Sequence, residues 1–322
     1  MRIAITGSLA YDYIMGFPGF FKDHILPDKV HMLTVSFLVD SMKRMRGGVA
    51  GNIAYTLALL GEKPLVVSAA GTDFGDYRRL MNELGVDESG IKEVPNEFTA
   101  SCFINTDRAN NQIVAFYPGA SAHAHDLTLE GKGLSKNDWV IISPTDPDSM
   151  ARNTQEAKKL GCKYIFDPGK QTPRLSREQI VAGLDGAAVL VGNDYEFAMM
   201  AKAIGWTEEK LIASAPLTVV TRGAEGSTFF EREGSRRTDI PTAAPKEVLD
   251  PTGAGDAYLA GLAFGLKHAL PVGVTGRVAA LAATYAIEMR GCQEHRFNPV
   301  DFAARYTSTF GAAPELARLT RG

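Results

Sequence analysis

The residues best suited to chemistry in this 322-residue sequence form one short string late in the chain. Residues 250–256 are Asp-Pro-Thr-Gly-Ala-Gly-Asp, and an apolar segment with helical spacing follows them. Glycine permits unusual backbone angles and close approach, so we expect the amides of Gly253, Ala254 and Gly255 to point outward where this helix begins. A helix N-terminus carries roughly half a positive charge and suits a phosphate group. The string therefore predicts an anion site.

Asp256 lies in the first turn of the same predicted helix. Its carboxylate would repel a phosphate that was only bound there. The carboxylate has a clear purpose if it accepts the proton of a hydroxyl group that attacks the phosphate. The simpler interpretation is a glycine-rich turn followed by an acidic residue that the helix dipole favours. The complete seven-residue string before an apolar helix favours the catalytic interpretation.

A second group of polar residues lies in the first part of the chain. Asp12 follows a short apolar segment that ends at Gly7, so we expect it just past the carboxyl end of a strand, where ligands bind in open α/β sheets. A carboxylate only accepts hydrogen bonds, and it can bind both hydroxyls of a vicinal diol such as that of ribose. Gly47 and Gly48 would let backbone amides approach a sugar, and Asn52 offers a donor and an acceptor. Local roles in a turn and at a helix entry are equally open for these residues.

Two motifs in the second half of the chain follow predicted strands. Asn193 and Glu196 lie at a strand-to-helix junction, where Glu196 would hold Mg²⁺ through water, because magnesium prefers oxygen ligands and keeps several waters. The same pair also fits a capping box at the start of a helix. Thr221, Gly223 and Gly226 fit the tight turn of a hairpin.

Aromatic residues occur in a predicted β-hairpin. The segments 98–106 and 112–117 flank a loop of turn-forming residues, which is typical of a hairpin. Phe116 and Tyr117 could stack on a nucleobase, whereas packing within the hairpin is the commoner role for either ring alone. Gln112 could contact the base or the ribose.

The order of apolar segments predicts the fold class. From residue 139 onward strands and helices alternate, which indicates βαβ units and a mostly parallel sheet with helices on both faces. In the first half we expect strands at 3–7, 30–39 and 65–69. The simplest division is one α/β domain over residues 1–322 with a small β insertion, built from segments at about 12–40 and 98–118. We call this insertion the lid.

Composition excludes several classes of protein. The 34 Lys and Arg against 37 Asp and Glu give a net charge of −3, which argues against a nucleic-acid surface. The three cysteines form no C-x-x-C pair, so neither a disulfide framework nor a zinc site is expected, and free thiols predict a cytoplasmic protein. The longest uncharged apolar stretch near the C-terminus, residues 257–266, is half of the roughly 20 residues that a bilayer span requires, so no membrane segment is expected. The sequence also lacks the P-loop string and the dinucleotide fingerprint after the first strand.

The string at 250–256 resembles the C-terminal signature of the PfkB, or ribokinase-like, family of carbohydrate and nucleoside kinases. Other segments resemble the remaining motifs of this family, in the same order: residues 7–12, 47–52, 193–196 and 221–226. Weaker similarities point to the adenosine kinase or broad-specificity nucleoside kinase branch: residues 24–28, 111–120, 166–169 and 291–294.

The resemblance implies a three-layer α/β/α fold with a small β-sheet lid, and an ATP-dependent phosphotransferase. The 5′-hydroxyl of adenosine or another ribonucleoside would attack the γ-phosphate of ATP, with Asp256 as the base and the 253–255 amides stabilising the transferring group. Thr221, Gly223 and Gly226 would line the nucleotide, and Thr252 would lie near it. The family often binds a monovalent cation, and here Asp250 and Thr252 could supply oxygens to K⁺.

Two alternatives remain open at this point. The protein could be another sugar kinase of the same family, similar to ribokinase or fructokinase. It could instead be a non-catalytic nucleoside-binding regulator, although such a protein has no need to keep Asp256. The expected partners are a nucleoside and ATP, with no nucleic acid and no membrane, in a monomer or a homodimer joined by exposed strand edges of the lid.

Overall fold

The computed structural model of the protein describes residues 1–25, 32, 34–231 and 236–320. The strands within these residues are β1 (Ile3–Thr6), β2 (Ala10–Gly16), β3 (Ser41–Gly47), β4 (Leu65–Ala70), β5 (Asp87–Glu93), β6 (Ala100–Thr106), β7 (Gln112–Tyr117), β8 (Trp139–Ile142), β9 (Lys163–Phe166), β10 (Val189–Asn193), β11 (Leu217–Thr221), β12 (Ser227–Glu231) and β13 (Arg236–Ile240). The helices are α1 (Val49–Leu59), α2 (Gly75–Glu83), α3 (Pro147–Lys159), α4 (Arg177–Leu184), α5 (Asp194–Ile204), α6 (Glu208–Ile212), α7 (Ala254–Lys267), α8 (Val272–Ile287) and α9 (Pro299–Phe310).

The described strands form a large sheet and a small one. The large sheet has the order β13-β12-β11-β10-β9-β8-β1-β4-β5, and its strands from β11 to β5 are parallel, while β12 and β13 form an antiparallel edge. Parallel neighbours point their carboxyl ends to the same edge of a sheet, which is where ligands bind in this architecture. The predicted mostly parallel sheet is confirmed.

Helices cover both faces of the large sheet. Successive strand residues point to opposite faces, so Ile5 of β1 packs into one core while Ala4 packs into the other. The first core includes residues of α1, α2, α7, α8 and α9, and the second includes residues of α3, α4, α5 and α6. This arrangement confirms the three-layer α/β/α fold.

The small sheet has the strand order β3-β2-β6-β7. Strand β2 pairs in parallel with β6 and antiparallel with β3, and β7 completes the 100–117 hairpin that the sequence predicts. Strand β7 coincides with the predicted segment 112–117. The strands of this sheet thus come from 10–16, 41–47, 100–106 and 112–117, and the prediction that the sheet acts as a lid remains a prediction.

The strand predicted at 30–39 is wrong within the described part of that segment. Residues 34–39 have no regular secondary structure, and residues 30, 31 and 33 lie outside the described residues. The strand of this region lies further along the chain, at β3. Its charged sequence, Ser-Met-Lys-Arg-Met-Arg-Gly, has little intrinsic β-propensity. Pairing with β2 overrides that propensity, and Arg44 adds a salt bridge of 2.8 Å to Asp76 of α2.

The remaining elements agree with the sequence prediction in part. Strands β2 and β5 were not predicted from the sequence. The sequence does predict helices at 194–204 and 299–310, and α5 and α9 have these bounds because a capping residue marks the start of each, Asn193 and Asn298 respectively. The sequence also predicts a hairpin at 228–240, which is present as β12 and β13; residues 232–235 lie outside the described part of the chain. The string at 24–28 is described only at its first two residues.

None of the helices that the structure describes is long and apolar enough to cross a membrane. Cys102, Cys162 and Cys292, which all lie in the described residues, are free thiols.

A buried histidine after α8 makes the stability of the fold depend on pH. His295 is 1 % exposed, its Nε2 lies 3.1 Å from the Thr56 hydroxyl, and its Nδ1 has no partner among the described residues. Burial lowers the pKa of His295 to about 4 from the ordinary 6.5. Between these values the unfolded chain binds a proton and the folded protein does not, so the free energy of unfolding falls as the pH falls through this window.

We expect this histidine to cost about 2 kcal/mol of stability between pH 7 and pH 5, since one pKa unit corresponds to about 1.4 kcal/mol. The measurement is urea denaturation of the wild type and of His295→Gln at both pH values. The stability of the wild type should fall more steeply than that of the variant by this amount. Parallel losses in the two proteins would contradict a neutral buried His295.

Candidate active site

The carboxyl edge of the large sheet brings together motifs that are far apart in sequence. Asp167 follows β9, Asn193 ends β10 and Thr221 ends β11, on three neighbouring parallel strands. Helix α7 begins at Ala254, directly after the 250–253 loop. Glu196 on α5 lies close enough to Asp256 on α7 for its charge to raise the pKa of that carboxyl. The predicted nucleotide and phosphate motifs therefore share one edge of the sheet.

The loop before α7 has a fixed shape. The carboxylate of Asp250 accepts the amide of Thr252 at 2.9 Å and the amide of Gly291 at 3.0 Å, and these bonds lower the pKa of Asp250 against the effect of burial. Gly253 caps α7 with a φ of 81°, and a Cβ there would lie 3.0 Å from the Cβ of Cys292. Only glycine fits this position, because the backbone is left-handed and the space is filled.

The amides of this loop are only partly free. The amide of Ala254 donates to the carbonyl of Pro251 at 3.3 Å. Of the three amides predicted to bind an anion, this one is therefore already paired. Within the described residues the amides of Gly253 and Gly255 have no hydrogen-bond acceptor. A Cβ added at Gly255 would meet nothing within 4 Å, so space is open beside this glycine. Two unpaired amides at a helix N-terminus can bind an oxyanion.

Asp256 lies in the first turn of α7 with its carboxyl partly exposed. Its Oδ2 accepts a hydrogen bond of 2.7 Å from Nδ2 of Asn52 on α1. Burial is the main cause that raises the pKa of Asp256, to about 6; the hydrogen bond from Asn52 and the charge of Lys170 lower it, and the charge of Glu196 adds to the rise. A carboxyl with this pKa can gain and lose a proton near neutral pH, as a general base must.

Asp12 lies inside β2 rather than in the loop after β1, so its predicted local position is wrong. The linker between the two strands has only three residues, and the chain enters the small sheet before it reaches Asp12. The carboxyl rests against the β3–α1 junction, since a Cβ added at Gly47 would lie 2.6 Å from Oδ2 of Asp12. Burial raises the pKa of Asp12, and Lys170 opposes this effect.

One row of side chains crosses the small sheet. Asp12 pairs with Met45 of β3 and with Cys102 of β6, and Cys102 pairs with Phe116 of β7. Residues directly opposite each other on neighbouring strands share a face, so all four lie on one face of the sheet. Asp12 and Phe116 are two strand spacings apart, about 10 Å. Phe116 is 61 % exposed, which leaves its ring free for a ligand.

The same sheet places two other predicted residues. Gln112 lies in the row of Thr106, four residues along β7 from Phe116, so it is well separated from Asp12 and is not brought into the group around it. Tyr117 follows Phe116 and therefore points to the opposite face, where its hydroxyl donates to Glu97. The base-contacting role of Gln112 stays a prediction that this geometry does not favour.

Two charged residues that the sequence analysis missed belong to the same site. Lys170, exposed and three residues past Asp167, lies close enough to lower the pKa of both Asp12 and Asp256. Burial and the charges of Glu196 and Asp256 raise the pKa of Asp167 well above its usual range. Both follow a strand of the alternating βα region, and Asp167 also lies in the string 166–169 that resembles the nucleoside kinase branch.

The predicted nucleotide residues occupy local roles as well. Asn193 and Glu196 form a capping box, with Oε2 of Glu196 2.9 Å from the Asn193 amide, so this alternative is confirmed. Thr221 and Gly226 flank the turn between β11 and β12, and a Cβ at Gly226 would lie 2.1 Å from a carbonyl oxygen of Ile240. Gly223 lies in the same turn and is exposed, as is Thr252. Contact with a nucleotide stays a prediction for each.

The donor set fits a cation that is held through water. Among the described residues no three His, Cys, Asp or Glu side chains are arranged to ligate a metal ion directly. The carboxyls of Glu196 and Asp167 nevertheless crowd each other at the sheet edge, and a hydrated Mg²⁺ would relieve their repulsion. Asp250 and Thr252 remain candidates for K⁺, with the Asp250 carboxylate oxygens each already accepting one amide.

Known proteins share the sequence pattern and the fold of this chain. Residues 19–298 match the model of the pfkB family carbohydrate kinases. A nucleoside kinase of Methanothermobacter thermautotrophicus is 29% identical over 97% of each chain. The nucleoside kinase of Burkholderia thailandensis in complex with inosine superposes with a TM-score of 0.85 at 34% identity, covering 97% of this chain and 99% of its own. The nucleoside kinase of Methanocaldococcus jannaschii gives 0.85 at 26% identity, covering 96% of this chain and 99% of its own. With a family match over most of its length and the signature loop at the head of α7, this chain belongs to the pfkB family of carbohydrate kinases.

Proposed function

We propose that this protein is an ATP-dependent nucleoside kinase that transfers the γ-phosphate of ATP to the 5′-hydroxyl of a ribonucleoside, with adenosine and inosine as the first candidates. The observation that carries the proposal is the placing of Asp256. Burial raises the pKa of its carboxyl to about 6, and Asp256 lies in the same first turn of α7 as the two unpaired amides. A proton acceptor beside an oxyanion site is the arrangement that phosphoryl transfer to an alcohol requires.

The row across the small sheet supports a nucleoside as the acceptor. The carboxylate of Asp12 would accept hydrogen bonds from the ribose 2′- and 3′-hydroxyls. The exposed ring of Phe116, about 10 Å away on the same face, would then lie under the base. A free sugar would use Asp12 and leave Phe116 without a partner. The Burkholderia thailandensis relative was solved in complex with inosine and with ADP-inosine, which supports the same class of acceptor here.

In the proposed mechanism, Asp256 orients the 5′-hydroxyl and accepts its proton as the oxygen attacks phosphorus. The amides of Gly253 and Gly255 donate to the transferring group, and Lys170 adds positive charge on the open side of the site. A bound Mg²⁺ would neutralise charge on the phosphates, held through water by Glu196 and Asp167. The small sheet would exclude water, which otherwise competes with the nucleoside for ATP.

The proposal is tested with purified protein, ATP and Mg²⁺ against adenosine, inosine, guanosine, cytidine, uridine, ribose and fructose. We expect ADP release and a nucleoside 5′-monophosphate with at least one purine nucleoside. The matched control is 5′-deoxyadenosine, which should inhibit and should not be phosphorylated. Transfer to ribose or fructose alone would instead indicate a sugar kinase, and nucleoside binding without ADP release would indicate a regulator. A phosphorylated 5′-deoxyadenosine would place transfer at another hydroxyl.

A further inference from the structure

A buried glutamine in the segment after α8 contacts the partner of Asp256. Gln293 is 1 % exposed, and its Nε2 donates to Oδ1 of Asn52 at 2.9 Å and to the hydroxyl of Tyr77. The hydroxyl of Tyr77 in turn donates to the carbonyl of Gly47 at 2.9 Å. The chain of hydrogen bonds therefore runs from the predicted sugar-binding junction to Asp256 without reaching solvent.

The direction of these bonds is fixed by the groups at the two ends. A carbonyl oxygen only accepts, so the Tyr77 hydroxyl donates its hydrogen to the carbonyl of Gly47. The same hydroxyl can therefore only accept a hydrogen bond from Gln293. The amide nitrogen of Gln293 donates, so the atom of Asn52 that faces it must be the oxygen. The opposite end of the Asn52 side chain, its N–H, then faces Oδ2 of Asp256. Each group in the network has one consistent role.

An asparagine without such a restraint can rotate its amide by half a turn at little cost. In the rotated form its oxygen would face Asp256 and would accept a hydrogen bond from the protonated carboxyl. A hydrogen bond to the neutral form of a carboxyl disfavours ionisation, whereas the N–H contact favours it. The rotation would therefore weaken Asp256 as a proton acceptor at neutral pH.

We propose that Gln293 is a positioning residue for phosphoryl transfer, which holds the amide of Asn52 with its N–H directed at Asp256 and so keeps that carboxyl ionised and oriented. This inference rests on the proposed function for its catalytic meaning. The contact that carries it joins residues 241 positions apart in the chain. Gln293 belongs to the segment after α8, and through Asn52 it acts on Asp256 in the first turn of α7.

Within the described residues, the hydrogen bonds of the Gln293 side chain go to Asn52 and Tyr77 and not to the other titratable groups around Asp256. Glu196 of α5 and Asp167 after β9 face it with negative charge, Lys170 faces it with positive charge, and the Cys292 thiol is protonated because burial raises its pKa to about 12. A difference between the wild type and a Gln293 variant therefore reports on the Asn52 amide.

The test compares Gln293→Met, which keeps the length of the side chain and removes the donor, with the wild type. We expect the acid limb of the pH profile of kcat/KM to lie about one pH unit higher in Gln293→Met than in the wild type. At pH 5.5 the variant should be about tenfold slower than the wild type, and this deficit should disappear by pH 8.5. The matched control is Thr56→Val, which removes a buried hydroxyl of α1 that contacts His295 and the backbone carbonyl of Asn52 but not the side-chain amide of Asn52.

A second readout does not depend on the acceptor. The carboxyl of Asp256 can be titrated by ¹³C NMR in protein labelled at aspartate, with the resonance assigned by its loss in Asp256→Asn. The pKa should be higher in Gln293→Met than in the wild type and unchanged in Thr56→Val. A uniform loss of activity at every pH, or an unchanged titration of Asp256, would overturn the inference. If no nucleoside were phosphorylated, the proposed function would fail, and the titration would still decide the role of Gln293.

Discussion

Replacing Asp256 by asparagine is expected to lower kcat for nucleoside phosphorylation about 10²–10⁴-fold, the usual contribution of a positioned general base. The change is nearly isosteric. The new amide can still present its oxygen to Nδ2 of Asn52, so the hydrogen bond that positions the side chain survives. The lost function is proton acceptance alone, so Kd for the nucleoside should stay within a few-fold of the wild type.

The pH dependence of the wild type follows from the same carboxyl. A base must be ionised to act, and burial raises the pKa of Asp256 to about 6. The value of kcat/KM should therefore rise with pH through about 6 and level off above it, and activity should fall as the solution becomes more acidic. The residual activity of Asp256→Asn should lack this limb.

Steady-state kinetics between pH 5 and pH 9 and calorimetric titration with nucleoside measure the two quantities separately. Asp185→Asn is a suitable control, since this carboxylate is 82% exposed and pairs with Lys158 on the far helical layer. The control should match the wild type. Turnover of Asp256→Asn close to the wild-type rate would remove Asp256 from its proposed role, and a large rise in Kd would show that the carboxyl binds the nucleoside instead.

The part of the site that the sequence predicts is the part that is contiguous in the chain. The loop at 250–256 contains its glycines, its helix start and its carboxylate within seven residues, so its local structure follows from backbone chemistry. The capping box of Asn193 and Glu196 is predictable for the same reason. The loss of the Ala254 amide to the Pro251 carbonyl depends on the detailed shape of the turn, which residue types do not determine.

The remaining parts depend on contacts between distant segments. Strand β3 forms because β2 lies beside it, and β2 was missed because only three residues separate it from β1. Gln293 meets Asn52 only because α1 and the segment after α8 pack together. Lys170 enters the site because the carboxyl end of β9 lies at the shared edge of the sheet. No local pattern of residues distinguishes these three features from ordinary surface or core positions.

Replacing Asp12 by alanine is expected to raise KM for the nucleoside about 10²–10⁴-fold while KM for ATP stays within a few-fold of the wild type. Two hydrogen bonds from the ribose hydroxyls to one carboxylate are each worth about 1.5–3 kcal/mol. Asp12 lies on β2 of the small sheet, whereas the predicted nucleotide residues lie at the ends of β10 and β11. Loss of its carboxyl should therefore leave the nucleotide side of the site unchanged.

The assignment to the ribose hydroxyls is tested with analogues rather than with the variant alone. In the wild type, 2′-deoxyadenosine and 3′-deoxyadenosine should each have a KM about tenfold or more above that of adenosine, since each loses one charge-assisted hydrogen bond. In Asp12→Ala the three compounds should have similar KM values, because the acceptor is gone for all of them. If the deoxy analogues lost the same factor in both proteins, Asp12 would not be the residue that binds the diol. Asp12→Asn keeps one acceptor oxygen at the same place, so its KM for adenosine should lie between those of the wild type and Asp12→Ala. A side chain with a merely structural role would not produce this graded order of KM values.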